Sequence, residues 1–343
     1  MDASPPDSPP VADATAVDAV PPIDAPTCTA PCFARGMSFV APSAMAFRNG
    51  TLYIADAETI AANDPNRRTG SIYGIDASGR VTTLATAQLD VRSLAVDAED
   101  TLYWSSLGRY DPNAGEVVDA AIMKLPRGAA APVPVFAPLT SPGGGARDVV
   151  VDDAAVYFGE LAAGFSVNRV STAGGAVQEL ARDDLQPGHV RVQPIAIAQH
   201  GSRVYWVDQL GGVVTVSKTG GDAATLVPGT VTTGAVGVGL GVAIDDQRFY
   251  FIRDGRDGAE DTLFAVALQG GAPTPVVQQH GLLAPVIRDG GNVYFRIGSD
   301  IYRAPITGGE PVKLASPKYS VPFVVDALYV YWASDGTVFR LPK

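Results

Sequence analysis

Histidine and cysteine are nearly absent from this 343-residue chain, which has three of the first and two of the second. A metal site built on the cysteines would need further ligands, yet the nearest histidine, His189, lies 157 positions (189 − 32) past Cys32. No apolar run approaches the roughly 18 residues of a membrane-spanning helix. Basic clusters are missing too. The formal net charge is −11 and the sequence pI is about 4.7, so a phosphate backbone would be repelled and nucleic acid is excluded as a partner. No stretch reads as a helix, and no GxSxG elbow, HExxH pair or phosphate loop occurs. The opening Met1-Asp2-Ala3-Ser4-Pro5-Pro6 has neither the basic nor the apolar region of a signal peptide.

Glycine, proline and paired aromatics are plentiful. With 37 Gly, 27 Pro and 46% hydrophobic residues, the composition suits many short strands joined by tight turns around a large core. An aromatic pair, or its apolar equivalent, recurs seven times, as Tyr53-Ile54, Tyr103-Trp104, Tyr157-Phe158, Tyr205-Trp206, Tyr250-Phe251, Tyr294-Phe295 and Tyr331-Trp332. The steps between the tyrosines run from 54 residues down to 37, the period of a supersecondary unit repeated in an array. Before each pair stands a short apolar strand and a polar turn, as in Val149-Val150-Val151-Asp152. After it come an alternating strand, a turn such as Gly220-Gly221, and a polar, proline-interrupted segment such as 272–277. Proline lacks the donor of a central strand, so that last segment is an outer edge. Four antiparallel strands per unit define the blade of a β-propeller. The expected fold is all-β, a seven-bladed β-propeller.

The expected blades are 44–86, 93–138, 147–182, 193–228, 241–278, 284–315 and 322–343. The last lacks a fourth strand. Residues 37–42, similar in pattern to 133–138, are expected to complete it and close the ring, hiding the edges of an open array. Residues 1–27 form a Pro/Ala/Asp-rich segment with no basic residue, expected to be a disordered linker ahead of a domain spanning 28–343. Cys28 and Cys32 enclose three residues rather than the two of a redox CxxC, and a disulfide at the domain's start is expected.

Val204-Tyr205-Trp206-Val207-Asp208 resembles the YWTD repeat of receptor-type propellers, and Leu52-Tyr53-Ile54-Ala55-Asp56 resembles the NHL repeat. The acidic N-terminal segment resembles the tether that follows the lipidated cysteine of bacterial surface lipoproteins. These resemblances imply a seven-bladed propeller, extracellular or periplasmic, whose one link to a membrane would be an N-terminal lipid anchor. The expected role is binding, as a monomer, of a protein, peptide or glycan at the face bearing the second-to-third and fourth-to-first loops. Ligand-binding candidates there are Arg109, Tyr110, Glu160, Arg253 and Tyr319. The alternative is a channel hydrolase or lyase, lactonase-like, using His189, His280, Arg191 and Arg296, with a divalent cation polarising the substrate. No cofactor is evident. Oxygen-rich loops make Asp111, Asp254 and Asp257 Ca²⁺ candidates, although their spacing departs from an EF-hand. The acids that end first strands, Asp97, Asp152, Asp245 and Asp326, and the post-strand Asp56 and Asp208, read as turn formers.

Overall fold

The computed structural model describes residues 32–35, 41–61, 64–113, 115–141, 145–160, 165–183, 193–229, 241–255, 259–319, 321–334 and 336–343. Among them every regular element is a β-strand. The strands form seven antiparallel four-stranded sheets; six take their strands in chain order, one of them adding the short strand Arg109–Asp111, and the seventh borrows its outer strand from the N-terminal end. Blade one runs from Pro42–Arg48 to Val81–Leu89, blade two from Val91–Val96 to Val133–Ser141, and blade three from Ala146–Val151 to Gln178–Arg182. Blade four runs from Pro194–His200 to Ala224–Val227, blade five from Val242–Ile244 to Thr274–Gln279, and blade six from Leu282–Asp289 to Val312–Ala315. First strands of successive blades contact one another and so form the inner ring. The expected seven-bladed propeller is the observed fold.

The aromatic pair explains how the blades pack. Successive strand residues point to opposite sides of a sheet, so each tyrosine enters one inter-blade space and its follower enters the other. Seven core clusters result, one per blade boundary. Each joins the tyrosine of one blade to the following residue of the next: Tyr53 with Trp104, Tyr157 with Trp206, Tyr250 with Phe295, and, closing the circle, Tyr331 with Ile54. Burying one such aromatic contributes about 1.5–3 kcal/mol, and the contribution recurs around the ring.

The turns explain why the leading residue is tyrosine. Asp97, Asp152, Asp245 and Asp326 each end a first strand and accept backbone N–H groups of their own turn through Oδ1. Each Oδ2 accepts the hydroxyl of the blade's tyrosine, at 3.0 Å from Tyr103, Tyr157 and Tyr250 and 2.8 Å from Tyr331. The turn-forming role expected for these acids holds, with a second partner added. Opposite them, glycine pairs such as Gly220 and Gly221 take φ of +87° and +116°, values that L side chains rarely adopt. This end of the ring, carrying the first-to-second and third-to-fourth turns, is the turn face.

Closure uses a different segment from the expected 37–42. Blade seven comprises Phe323–Val325, Tyr329–Ser334, Thr337–Pro342 and, as outermost strand, Cys32–Arg35, with Cys32 opposite Phe339 and Ala34 opposite Val338. Pro42 instead opens the first strand of blade one, opposite Asp56. The physical reason is the width of a blade. Three inter-strand spacings separate the outer edge from the inner ring, about 14 Å, and crossing it takes at least four extended residues. A closing strand ending at 42 leaves none. Residues 36–40 lie outside the described residues. Phe33 meets Tyr331 edge-on at 5.6 Å, and the Arg340 guanidinium sits 4.3 Å from the Phe33 ring centre. Cys32 is disulfide-bonded; Cys28, and with it the expected pairing, lies outside the described residues, as does the remainder of 1–31.

Candidate functional site

The opposite end of the ring, the loop face, carries the connections that do not repeat. Here the first strands lose register with their partners: between Pro42 and Ala44, Val91 and Ser93, Ala146 and Val149, and Leu283 and Ile287. Such bulges re-aim side chains. Two place arginines at the rim. Arg92 pairs with Asp90 at 3.0 Å while staying exposed, and Arg147 is exposed on the next blade. Between them, Ser93 Oγ donates to Asp148 Oδ1 at 2.9 Å, so the two bulges are neighbours across the blade boundary.

Asp148 ties three blades together. Beside Ser93 of blade two, Val149 N of its own strand donates to Oδ1 at 3.0 Å and Ile197 N of blade four donates to Oδ2 at 2.9 Å. Burial pushes its pKa up, and the three hydrogen bonds only partly oppose this. No candidate set drawn from the sequence contains it. The one available signal is an acid next to the apolar run Val149-Val150-Val151.

The loop-face acids turn inward. Asp56 is fully buried and accepts Ala41 N at 2.7 Å. Asp208 accepts Leu210 N and Gly212 N at 2.8 and 2.7 Å, an Asx turn, and burial raises its pKa. A Cβ on Gly212 would stand 2.6 Å from Asp208 Oδ2, so that turn requires glycine. Asp261 takes N–H groups from Gly255, Gly281 and Leu282 at 2.8–2.9 Å and a side-chain hydrogen bond with Asp254. Against the upward push of burial, these hold it below the usual carboxylate range.

The binding candidates divide into two groups. Arg253 is structural: its Nη2 donates to Gly211 O of blade four at 2.8 Å and its guanidinium lies over Phe251 and Phe264. Burial lowers its pKa, opposed by the charge of Asp208. Arg109 pairs with Asp119 at 3.0 Å, and Tyr110 pairs with Val117 in the added strand of blade two. Glu160, half-buried, accepts from Asn168 Nδ2 at 3.3 Å. Tyr319 is 51% exposed, with the Lys318 ammonium 4.7 Å from its ring centre. Of the channel-enzyme set, His280 is exposed in a two-residue turn. Arg296 donates from Nε to Ala284 O at 2.5 Å, with its pKa lowered by burial. His189 and Arg191 lie outside the described residues, so the expected convergence of the four falls there. Of the metal candidates, Asp111 accepts Asn113 N at 2.9 Å in an Asx turn, and Asp257 is outside the described residues. Among the described residues no three His, Cys, Asp or Glu side chains gather as metal ligands would.

No family model and no curated protein matches the chain. Solved structures match its fold. The chain superposes on YCF48 from Cyanidioschyzon merolae with a TM-score of 0.58 at 11% identity, covering 88% of this chain and 95% of that one. On the β-propeller domain of the Trilobed protease from Pyrococcus furiosus, which has an open velcro topology, the TM-score is 0.56 at 10% identity, covering 89% and 94%. A prolyl endopeptidase gives 0.57 at 15% identity; 87% of this chain covers only 45% of that one. Similarity at this level shows the propeller and nothing about activity.

Proposed function

We propose that the protein is a binding propeller, secreted or surface-tethered, that engages a protein, peptide or glycan through its loop face. The observation that supports this reading is how polar groups divide on that face. Asp56, Asp208 and Asp261 are buried and occupied by backbone N–H groups, whereas Arg92, Arg147, His280, Lys318 and Tyr319 are exposed. A partner thus meets donors and an aromatic surface on a protein that is acidic overall, the combination that favours interface hot spots. The reading is tested by probing glycan and peptide arrays with wild type and with an Arg147→Ala/Tyr319→Ala variant. Expected is loss of the array signals with stability changed by less than about 0.5 kcal/mol per surface site. Signals that persist unchanged in the variant would overturn it.

A further inference from the structure

The turn face holds a groove between blades five and six, about 420 Å³ in volume, walled by Asp245, Gln247, Arg248, Tyr250, Arg288 and Ile306. The corresponding space between blades three and four is filled. There Lys218 reaches back from blade four, donating to Asp152 Oδ2 at 2.7 Å and Gln199 Oε1 at 2.6 Å, above the Tyr157 ring. Ile306 occupies the place of Lys218: in matching turns Lys218 N donates to Ser202 O at 2.8 Å and Ile306 N to Gly291 O at 3.0 Å. Arg288 occupies the place of Gln199, each lying opposite the residue before the blade's tyrosine. Isoleucine cannot neutralise Asp245, so Arg288 does so from the side, its Nε 2.9 Å from Oδ2. The volume of a lysine side chain is left open.

The chemistry of that volume is one-sided. Asp245 is saturated, with Gln247 N and Arg248 N on Oδ1 at 2.9 and 2.8 Å and Tyr250 OH and Arg288 Nε on Oδ2 at 3.0 and 2.9 Å. Asp246, the other acid, is 96% exposed at the rim and faces His200 at 3.9 Å. Gln247 and Thr307 are neutral, so the charge that the groove turns to a ligand is that of Arg288 and Arg248. Arg288 has further N–H groups beyond Nε, and Arg248 is exposed beside it. A planar guanidinium matches a carboxylate. We propose that this groove binds a carboxylate-bearing ligand, its carboxylate held by Arg288 and Arg248 and its aliphatic part lying on Ile306.

The carboxylate can come from a free dicarboxylic acid or from an acidic side chain of a peptide. Titration calorimetry of the full chain at low ionic strength, with glutarate and separately with hexaglutamate, distinguishes the two sources. Saturable one-to-one binding of either is expected. Ile306→Glu, which sets a carboxylate against Arg288 and Arg248 in place of the apolar wall, should weaken it by at least about tenfold in a chain that still melts cooperatively. Arg248→Gln, an exposed site that leaves the fold intact, should weaken it as well. No saturation by either probe at millimolar concentration would overturn the proposal. So would wild-type affinity in the folded Ile306→Glu or Arg248→Gln variant. A loss of binding in Arg147→Ala that the groove variants do not share would assign the site to the loop face and overturn it equally.

Discussion

Asp148 and Asp152 lie four positions apart along the first strand of blade three, one at its loop end and one just past its turn end, and their acidities shift in opposite directions. Burial raises the pKa of both. At Asp152 this is outweighed by the Lys218 ammonium and two backbone N–H groups, leaving the carboxyl below its ordinary range. At Asp148 three neutral donors meet the carboxylate with no cation, and burial prevails. Asp245, with Arg288, behaves as Asp152 does, and Asp208 is raised as Asp148 is. Asp261 is the informative exception on the loop face: three backbone N–H groups and Asp254 suffice to lower it without a cation. The turn face thus holds Asp152 and Asp245 as anions in inter-blade braces, while at the rim of the loop face the Asp148 carboxyl, with no cation beside it, is shifted upward.

The comparison depends on a closed ring, and the largest expected effect comes from opening it. Deleting residues 32–35 removes the outer strand of blade seven, the Phe33 contacts with Tyr331 and Arg340, and a buried Ala34. It exposes the edge of Thr337–Pro342. Loss of a cooperative melt, with aggregation, is the expected outcome; a melting temperature unchanged from wild type would show that the ring closes without this strand.

The ring itself was legible in the sequence because its signal is repeated. Seven tyrosine-led pairs and paired glycines gave strand order, and the turn aspartates followed from their position. The closing strand was not, because Cys32-Phe33-Ala34-Arg35 is too short to show alternation and 37–42 imitates a proline-containing edge. The candidate site was legible only in outline. Arg253 and Arg296 read as loop arginines, yet each is committed to a carbonyl, Gly211 O and Ala284 O, whose position depends on how a neighbouring turn or bulge folds. A sequence shows which residues are polar; which of them the fold occupies depends on contacts between blades, and these repeat in no fixed spacing. Asp148 was hidden for the same reason, since its partners Ser93 and Ile197 lie 55 and 49 positions away.

The contrast between the two aspartates predicts opposite pH slopes. A carboxyl whose folded pKa is lowered contributes stability above about pH 3.9 that disappears as the pH falls through the folded value. Asp152→Asn should therefore be less stable than wild type by about 1–2 kcal/mol at pH 7, with the gap closing below pH 4. A carboxyl whose folded pKa is raised contributes stability that is present at low pH and lost as the pH rises through the folded value. For Asp148→Asn the wild type should accordingly gain relative to the variant as the pH falls. Urea unfolding of both variants between pH 3 and pH 7 measures the two slopes; parallel slopes would abolish the distinction between the ends of the strand.

The smallest effect isolates the tyrosine hydroxyl. Burial, reinforced by Asp152, raises the pKa of Tyr157, and Tyr103, Tyr250 and Tyr331 are raised with their own aspartates. Their contribution is present below about pH 10 and is lost as the pH climbs through the raised folded values. Tyr157→Phe keeps the inter-blade packing with Trp206 and removes one hydrogen bond, so a loss of about 1 kcal/mol at pH 7 is expected. The same substitution at Tyr294, whose blade ends its first strand in Asp289 bound to Lys343 and which makes no such bond among the described contacts, should change stability by less. Equal losses at the two positions would mean that the hydroxyl stabilises through something other than the aspartate at the end of the strand.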